Sequence, residues 1–206
     1  MSFKKLKPLL KDILEHQNIH EATPFQKLAI PKIKSGANVW AVAPEGSGKT
    51  TTLILTTLQK LKDYEQHDNP RVIIFVKDKA SALALEEKFE PYIKHMDLTS
   101  YCVYEEQLVQ AQKDIIYEGV DIVIGTAKRI NKLYLMNGIN LNDMNTVIIE
   151  DANLLPRIDF AKDIVRISEA FEKCQYIVFS TEYDEKLKSL KNSFMFNGAL
   201  IEVDPS

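Results

Sequence analysis

The strongest chemical signal in the chain is the run Ala43-Pro44-Glu45-Gly46-Ser47-Gly48-Lys49-Thr50. It fits a phosphate-binding loop of the type G-x-x-x-x-G-K-[ST], with Ala43 where the stricter pattern has glycine. Gly46 and Gly48 permit the tight turn that lets backbone N–H groups converge on phosphate oxygens. Lys49 would neutralise the β and γ phosphates of a nucleotide, and the Thr50 hydroxyl would ligate Mg²⁺. Pro44, Glu45, Ser47 and Thr51 belong to the same expected contact set. The bland alternative is an ordinary glycine-rich turn between a strand and a helix.

Such a loop needs a strand to deliver it and a helix whose N-terminus faces the phosphates. Both are legible: Val39–Val42 is the strand and Thr50–Lys62 the helix. Further short runs rich in Val, Ile and aromatic residues follow at Val72–Val76, Thr99–Val103, Asp121–Gly125, Thr146–Ile149, Tyr176–Ser180 and Leu200–Val203. Segments of helical length and spacing separate them, at Lys79–His95, Glu105–Glu118, Ala127–Met136, Arg157–Phe171 and Asp184–Lys191. Near-continuous apolar strands joined by helical crossovers imply a doubly wound α/β domain, with a mainly parallel sheet and helices on both faces. Two more helices, Lys4–Gln17 and Pro24–Ser35, precede the first strand, and Asp63–Asn69 reads as a charged surface loop.

At 206 residues and 45% hydrophobic content, the chain can bury one full core and is read as a single domain over 1–206. A net charge of −3 removes the broad basic excess that would by itself advertise nucleic-acid binding, so any such contact must be local. Cys102 and Cys174 match no metal or redox spacing and read as thiols in a reducing compartment. His16 and His20 lack a nearby third ligand for a metal. No apolar run reaches signal-peptide or membrane-span length, which makes the cytoplasm the default location and gives no role to a membrane.

Three further motifs join the phosphate loop. Ala22-Thr23-Pro24-Phe25-Gln26 lies upstream at a consistent spacing, Thr126-Ala127-Lys128-Arg129 follows a strand, and Glu150-Asp151-Ala152-Asn153 follows another. Together they resemble the first of the two RecA-like domains of DEAD-box RNA helicases, over roughly Phe3 to Val203. The resemblance implies ATP and Mg²⁺ as ligands, single-stranded RNA as a partner, a Q-motif region over 1–38 and a P-loop core over 39–206. It implies that Phe3 stacks on adenine and that Gln26 hydrogen-bonds the adenine edge. Thr23 and Gln26 also spell a capping box ahead of Pro24, and one amide cannot fill both roles at once.

The resemblance further implies that Thr126 and Arg129 contact an RNA backbone, with Lys128 nearby. Departures from the family pattern are concentrated elsewhere. Lys77 and Lys79 stand in a segment where the family has Pro-Thr-Arg-Glu-Leu-Ala, and can supply electrostatic attraction alone; a glycine pair expected near Tyr104 to Glu106 is absent. In the carboxylate motif the two acids are transposed. Glu150 would hold Mg²⁺, and Asp151 would face the attacking water with a side chain one methylene short, so slow hydrolysis is expected. Asn153 replaces the acid that ties this motif to a later Ser-Ala-Thr, here Ser180-Thr181-Glu182, which the family uses for coupling.

In the family a second RecA-like domain closes over the ATP. The expectation is therefore an ATP-binding domain that needs such a domain, in cis or from a partner, to act on RNA. A catalytically impaired pseudo-helicase, which uses ATP or ADP to gate RNA or protein binding, is the alternative. A small-molecule phosphotransferase is the third reading, and lacks a visible arginine-rich lid.

Overall fold

The computed structural model describes residues 3, 5–61, 68–156, 160–170, 173–195 and 197–203. Seven strands form one sheet: β1 (Val39–Val42), β2 (Val72–Val76), β3 (Ser100–Val103), β4 (Ile122–Thr126), β5 (Thr146–Ile149), β6 (Gln175–Ser180) and β7 (Ala199–Glu202). Their order across the sheet is β3-β4-β2-β5-β6-β1-β7, and every pairing is parallel. The helices are α1 (Pro8–His16), α2 (Pro24–Lys34), α3 (Lys49–Lys60), α4 (Lys79–Ile93), α5 (Val109–Tyr117), α6 (Ala127–Leu135), α7 (Val165–Ser168) and α8 (Glu185–Phe194). A π-type turn over Phe160–Ile164 leads into α7.

Strand residues alternate between two cores, one on each face. Val39, Ala41, Ile74, Ile124, Ile148 and Phe179 pack with α1 to α4. Trp40, Ile73, Phe75, Val123, Val147 and Val178 pack on the other face with α5 to α8. Both faces are therefore apolar, which is why the strands read as continuous runs rather than alternating ones. Each fully buried Leu, Ile or Phe contributes roughly 1.5–3 kcal/mol of transfer free energy, so the sheet is the stable platform of the molecule.

Local chemistry starts the helices. Thr23, Asp78, Thr126 and Asp184 each accept a backbone N–H of the following turn and cap α2, α4, α6 and α8. The sequence places a helix over Glu105–Glu118, whereas α5 begins only at Val109. The reason is tertiary: Arg129 donates to the carbonyls of Glu105 and Gln107, and the Gln107 amide is held by Tyr104 and Gln112. Those bonds fix 105–107 as a turn and override helical propensity.

The first helix starts at Pro8 rather than at position 4, consistent with the preference of proline for the first helical turn. Lys4, the segment 62–67 that holds most of the expected charged loop, and residues 157–159 and 171 of the expected Arg157–Phe171 helix lie outside the described residues. Within that last stretch the π-type turn replaces regular α-helix before α7. At the amino-terminal ends of β2 and β4, away from the phosphate loop, Arg71 and Asp121 form a buried ion pair, and Asp121 also accepts Thr99 N–H at 2.9 Å. Among the described residues no helix is long and apolar enough to cross a membrane.

Candidate functional site

The site forms where the C-terminal ends of three neighbouring strands, β5, β6 and β1, lie side by side. Crevices at the carboxyl ends of parallel strands are the usual ligand positions of open α/β sheets. Strand β1 delivers the phosphate loop, β6 ends at Ser180, and β5 is followed by the two acids. Backbone pairing links the first two, since Ala43 N–H donates to the Ser180 carbonyl at 3.1 Å.

The loop has the backbone that its glycines allow. Gly46 and Gly48 have φ of 77° and 89°, in the left-handed region that disfavours other residues. At Gly48 space is limiting as well, because a Cβ there would stand 2.6 Å from Gln26 Nε2. The Lys49 ammonium donates to the loop's own carbonyls, at 2.7 Å to Ala43 and 2.9 Å to Pro44. Burial lowers its pKa, against the attraction of Asp151, Glu45 and Glu150. The Ser47 hydroxyl is buried and has no hydrogen-bond partner among the described residues. An orphaned donor in a loop of this shape suits a phosphate oxygen.

Thr50 and Glu150 meet across the sheet, with the threonine hydroxyl 3.4 Å from the carboxylate Oε1. Hydroxyl and carboxylate oxygens are the hard donors that Mg²⁺ takes, so the residues present fit that ion. Glu150 is largely buried, which pushes its pKa up to about 7; the charge of Asp151 pushes the same way, while Lys88, the Thr50 hydrogen bond and Lys49 oppose it. Asp151 itself has φ 44° and ψ 51°, a left-handed conformation at a non-glycine residue. Aspartate tolerates this better than most side chains, yet such positions store strain and cluster at functional sites.

The motif ends in a hydrogen-bonded link to β6. Asn153 Oδ1 accepts from the Ser180 hydroxyl at 3.0 Å and from Thr181 N–H at 3.3 Å, and its Nδ2 donates to Thr181 Oγ1 at 2.8 Å. An amide thus joins all three residues expected at this position. Sequence reasoning missed Lys186 on α8, whose ammonium holds the carbonyls of Asn153 and Leu155 at 2.8 Å each. A lysine on an exposed helix gives no sequence signal of that role.

Upstream, the capping box is made. Gln26 Oε1 accepts Thr23 N–H at 3.0 Å, Thr23 Oγ1 accepts Gln26 N–H at 3.1 Å, and the Thr23 hydroxyl donates to the Ser47 carbonyl at 2.7 Å. Gln26 is 3% exposed, and its Nε2 also donates to the Gly48 carbonyl at 3.4 Å. The amide is turned inward against the phosphate loop. Phe3 lies half-buried against the core cluster that contains Phe25. Beside the loop, a cleft of about 570 Å³ is bounded by Thr50, Thr51, Ile54, Lys88 and Tyr92.

The residues assigned to RNA converge on a second, smaller cleft of about 280 Å³, lined by Lys77, Lys79, Thr126 and Lys128 together with Glu105 and Glu106. Lys79 stands 4.8 Å above the Tyr104 ring, and Lys77 lies 4.0 Å from Asp78. Arg129 does not open into this cleft; it is 4% exposed and turned toward the 105–107 turn. Glu105 is the residue that sequence reasoning passed over, and its only signal was an acid where the family pattern expects glycine. A larger cleft of about 750 Å³, near Tyr117, Tyr134 and Met144, lies by the segments that precede β5 and β6 and holds none of the expected site residues.

The profile of the DEAD/DEAH box helicase family matches residues 23–190. The ATP-dependent RNA helicase RhlB of Vibrio parahaemolyticus is 28% identical over 210 residues, which cover 98% of this chain and 48% of that protein. RhlB of Klebsiella pneumoniae is also 28% identical, over 97% of this chain and 49% of its own length. The chain thus spans about half the length of these curated relatives. Among solved structures, a DEAD box protein from Methanococcus jannaschii superposes with a TM-score of 0.90 at 20% identity, covering 99% of this chain and 56% of that one. At that identity the likeness speaks for the fold.

Proposed function

The chain belongs to the DEAD/DEAH box helicase family, and from that premise we propose that it is the ATP-binding RecA-like half of an RNA helicase, weakly hydrolytic or silent by itself. The observation that most directly supports this reading is the approach of Thr50 to Glu150 at 3.4 Å beside a loop whose Ser47 hydroxyl has no partner among the described residues. Thr50 and Glu150 would hold Mg²⁺, which supplies positive charge to the phosphate oxygens. Lys49 would leave the Ala43 and Pro44 carbonyls for the β and γ phosphates. Gln26 and Phe3 would receive adenine, and Asp151 would face the attacking water. Lys77, Lys79, Thr126 and Lys128 would hold an RNA backbone, with Arg129 shaping the wall of that cleft.

A second RecA-like domain, in cis or from a partner, would complete the site; in other phosphoryl-transfer systems an arginine supplied in this way is worth about 10³–10⁵ in rate. One observation favours a pseudo-helicase as the second reading. The water-facing acid is the shorter Asp151, on a strained backbone, next to a glutamate whose charged form is disfavoured near neutral pH.

The test is ATP affinity and turnover by the purified chain in the cytoplasmic range of pH, with and without single-stranded RNA and with and without an added RecA-like second domain. Mg²⁺-dependent binding with turnover that appears only with RNA and the second domain supports the helicase half. Nucleotide-dependent RNA or protein binding with no turnover under any combination supports the pseudo-helicase. Absence of ATP binding overturns both.

A further inference from the structure

The cleft at the ends of β2 and β4 lies at the N-terminus of α6, and Lys77, Lys79 and Lys128 line it together with three acids, Asp78, Glu105 and Glu106. Helix N-termini and lysine clusters both attract negative charge. One anion is already bound there. The Glu105 carboxylate Oε2 accepts a hydrogen bond from the Thr126 hydroxyl at 2.9 Å, while the same Thr126 oxygen caps α6 by accepting Arg129 N–H at 3.3 Å.

The turn that carries Glu105 is anchored from the protein interior. Arg129, 4% exposed, reaches the Glu105 carbonyl with Nη2, and the same nitrogen donates to the Gln107 carbonyl at 2.9 Å. Its Nε and Nη1 are buried without a hydrogen-bond partner among the described residues. Glu106 lines the same cleft and is exposed as Glu105 is, but it makes no hydrogen bond to Thr126. The two neighbouring acids are therefore not equivalent.

We propose that Glu105 is an internal anion occupying the phosphate position of this cleft, which an RNA backbone must displace in order to bind. The inference rests on the RNA-backbone reading of the cleft and adds the residue that sets its affinity. A carboxylate and a phosphate oxygen compete for one hydroxyl donor and one helix N-terminus, and like charges at contact distance repel. Glu105 thus makes the cleft selective for ligands that bring several phosphates at once, because a single free anion gains too little to displace a tethered one. Glutamine is the informative replacement, since it keeps an oxygen for Thr126 and removes only the charge.

The experiment measures the affinity of the full chain for a fluorescent oligouridylate, by anisotropy at fixed salt, for the wild type, Glu105→Gln and Glu106→Gln. Thermal melting of each variant, with and without Mg²⁺-ATP, verifies the fold and the separate nucleotide site. Glu105→Gln is expected to bind RNA about fivefold more tightly, the scale of removing a like charge roughly 4 Å away at an exposed position. Glu106→Gln, which removes the same charge without touching Thr126, is expected to gain less than about threefold, as suits a screened surface charge. Equal gains in the two variants overturn the internal-anion assignment and leave the RNA reading standing. Absence of RNA binding in all three chains, with Mg²⁺-ATP binding intact, overturns the RNA reading and this inference with it.

Discussion

Replacing Glu150 by glutamine should stabilise the ligand-free protein, by an amount that grows with pH. Burial and the neighbouring Asp151 push the Glu150 carboxyl from its ordinary 4.5 up to about 7. Between those two values the folded chain keeps a proton that the unfolded chain has released, so wild-type stability falls as pH rises through the interval. At about 1.4 kcal/mol per pH unit, the accumulated cost above pH 8 is roughly 3 kcal/mol. Glutamine cannot ionise, and it retains an acceptor oxygen for Thr50. For a domain of this size the difference corresponds to roughly 6–12 °C in melting temperature, at about 2–4 °C per kcal/mol. Thermal melting of both proteins in EDTA, at intervals from pH 4.5 to 8.5, reads it directly; shared titrations cancel in the difference. The two curves should meet near pH 4.5, separate to about pH 7 and run parallel above it. A constant offset, or a variant less stable at pH 8, would refute the reasoning that the carboxylate is held in an unfavourable environment. Saturating Mg²⁺-ATP should narrow the gap, because only the carboxylate gains from a bound cation.

Lys49→Ala should abolish or severely weaken ATP binding, measured by calorimetry, and an unchanged affinity would remove the phosphate-loop assignment. Exchanging the acids, as Glu150→Asp with Asp151→Glu, restores the family order and should raise ATP turnover measured with RNA and a second domain present; no gain would mean that the transposition does not limit the rate. Arg71→Met leaves Asp121 buried without its cation and should cost about 3–5 kcal/mol in urea denaturation, whereas replacing both members by apolar residues should cost much less.

The sheet was legible because its strands are buried on both faces. The runs at Val39–Val42, Val72–Val76 and Thr146–Ile149 have the same bounds in sequence and structure, and the other strands shift by a residue or so at their ends. The phosphate loop was equally legible, since glycine, lysine and threonine at that spacing encode a local shape. The reading faltered where long-range bonds decide. Nothing local announces that Arg129 turns inward to hold 105–107 out of α5, or that Asp151 adopts a left-handed backbone. Nor did a polar Gln26 after Thr23 say which of its two roles the folded chain fills, and here it caps α2 and lies against Gly48. The buried pair of Arg71 and Asp121 escaped notice for the same reason: fifty residues separate them, and only the adjacency of β2 and β4 brings them together.

At position 153 an amide stands where the family has an acid. As sequence, an amide in place of an acid reads as a broken link between the carboxylate motif and Ser180-Thr181. As structure, the amide makes three hydrogen bonds, because Oδ1 accepts from Ser180 and Thr181 N–H while Nδ2 donates to Thr181 Oγ1. An aspartate could accept from all of these groups, but it would add a third negative charge to a turn that already carries Glu150 and Asp151. Like charges favour retention of a proton, so that acid would raise the Glu150 pKa further in the ligand-free chain. The neutral amide preserves the contact between β5 and β6 without that penalty. The loss of the acid at 153 and the exchange of acids at 150 and 151 are therefore mutually compatible changes to one electrostatic arrangement, in which the mechanical link is kept and the charge is reduced.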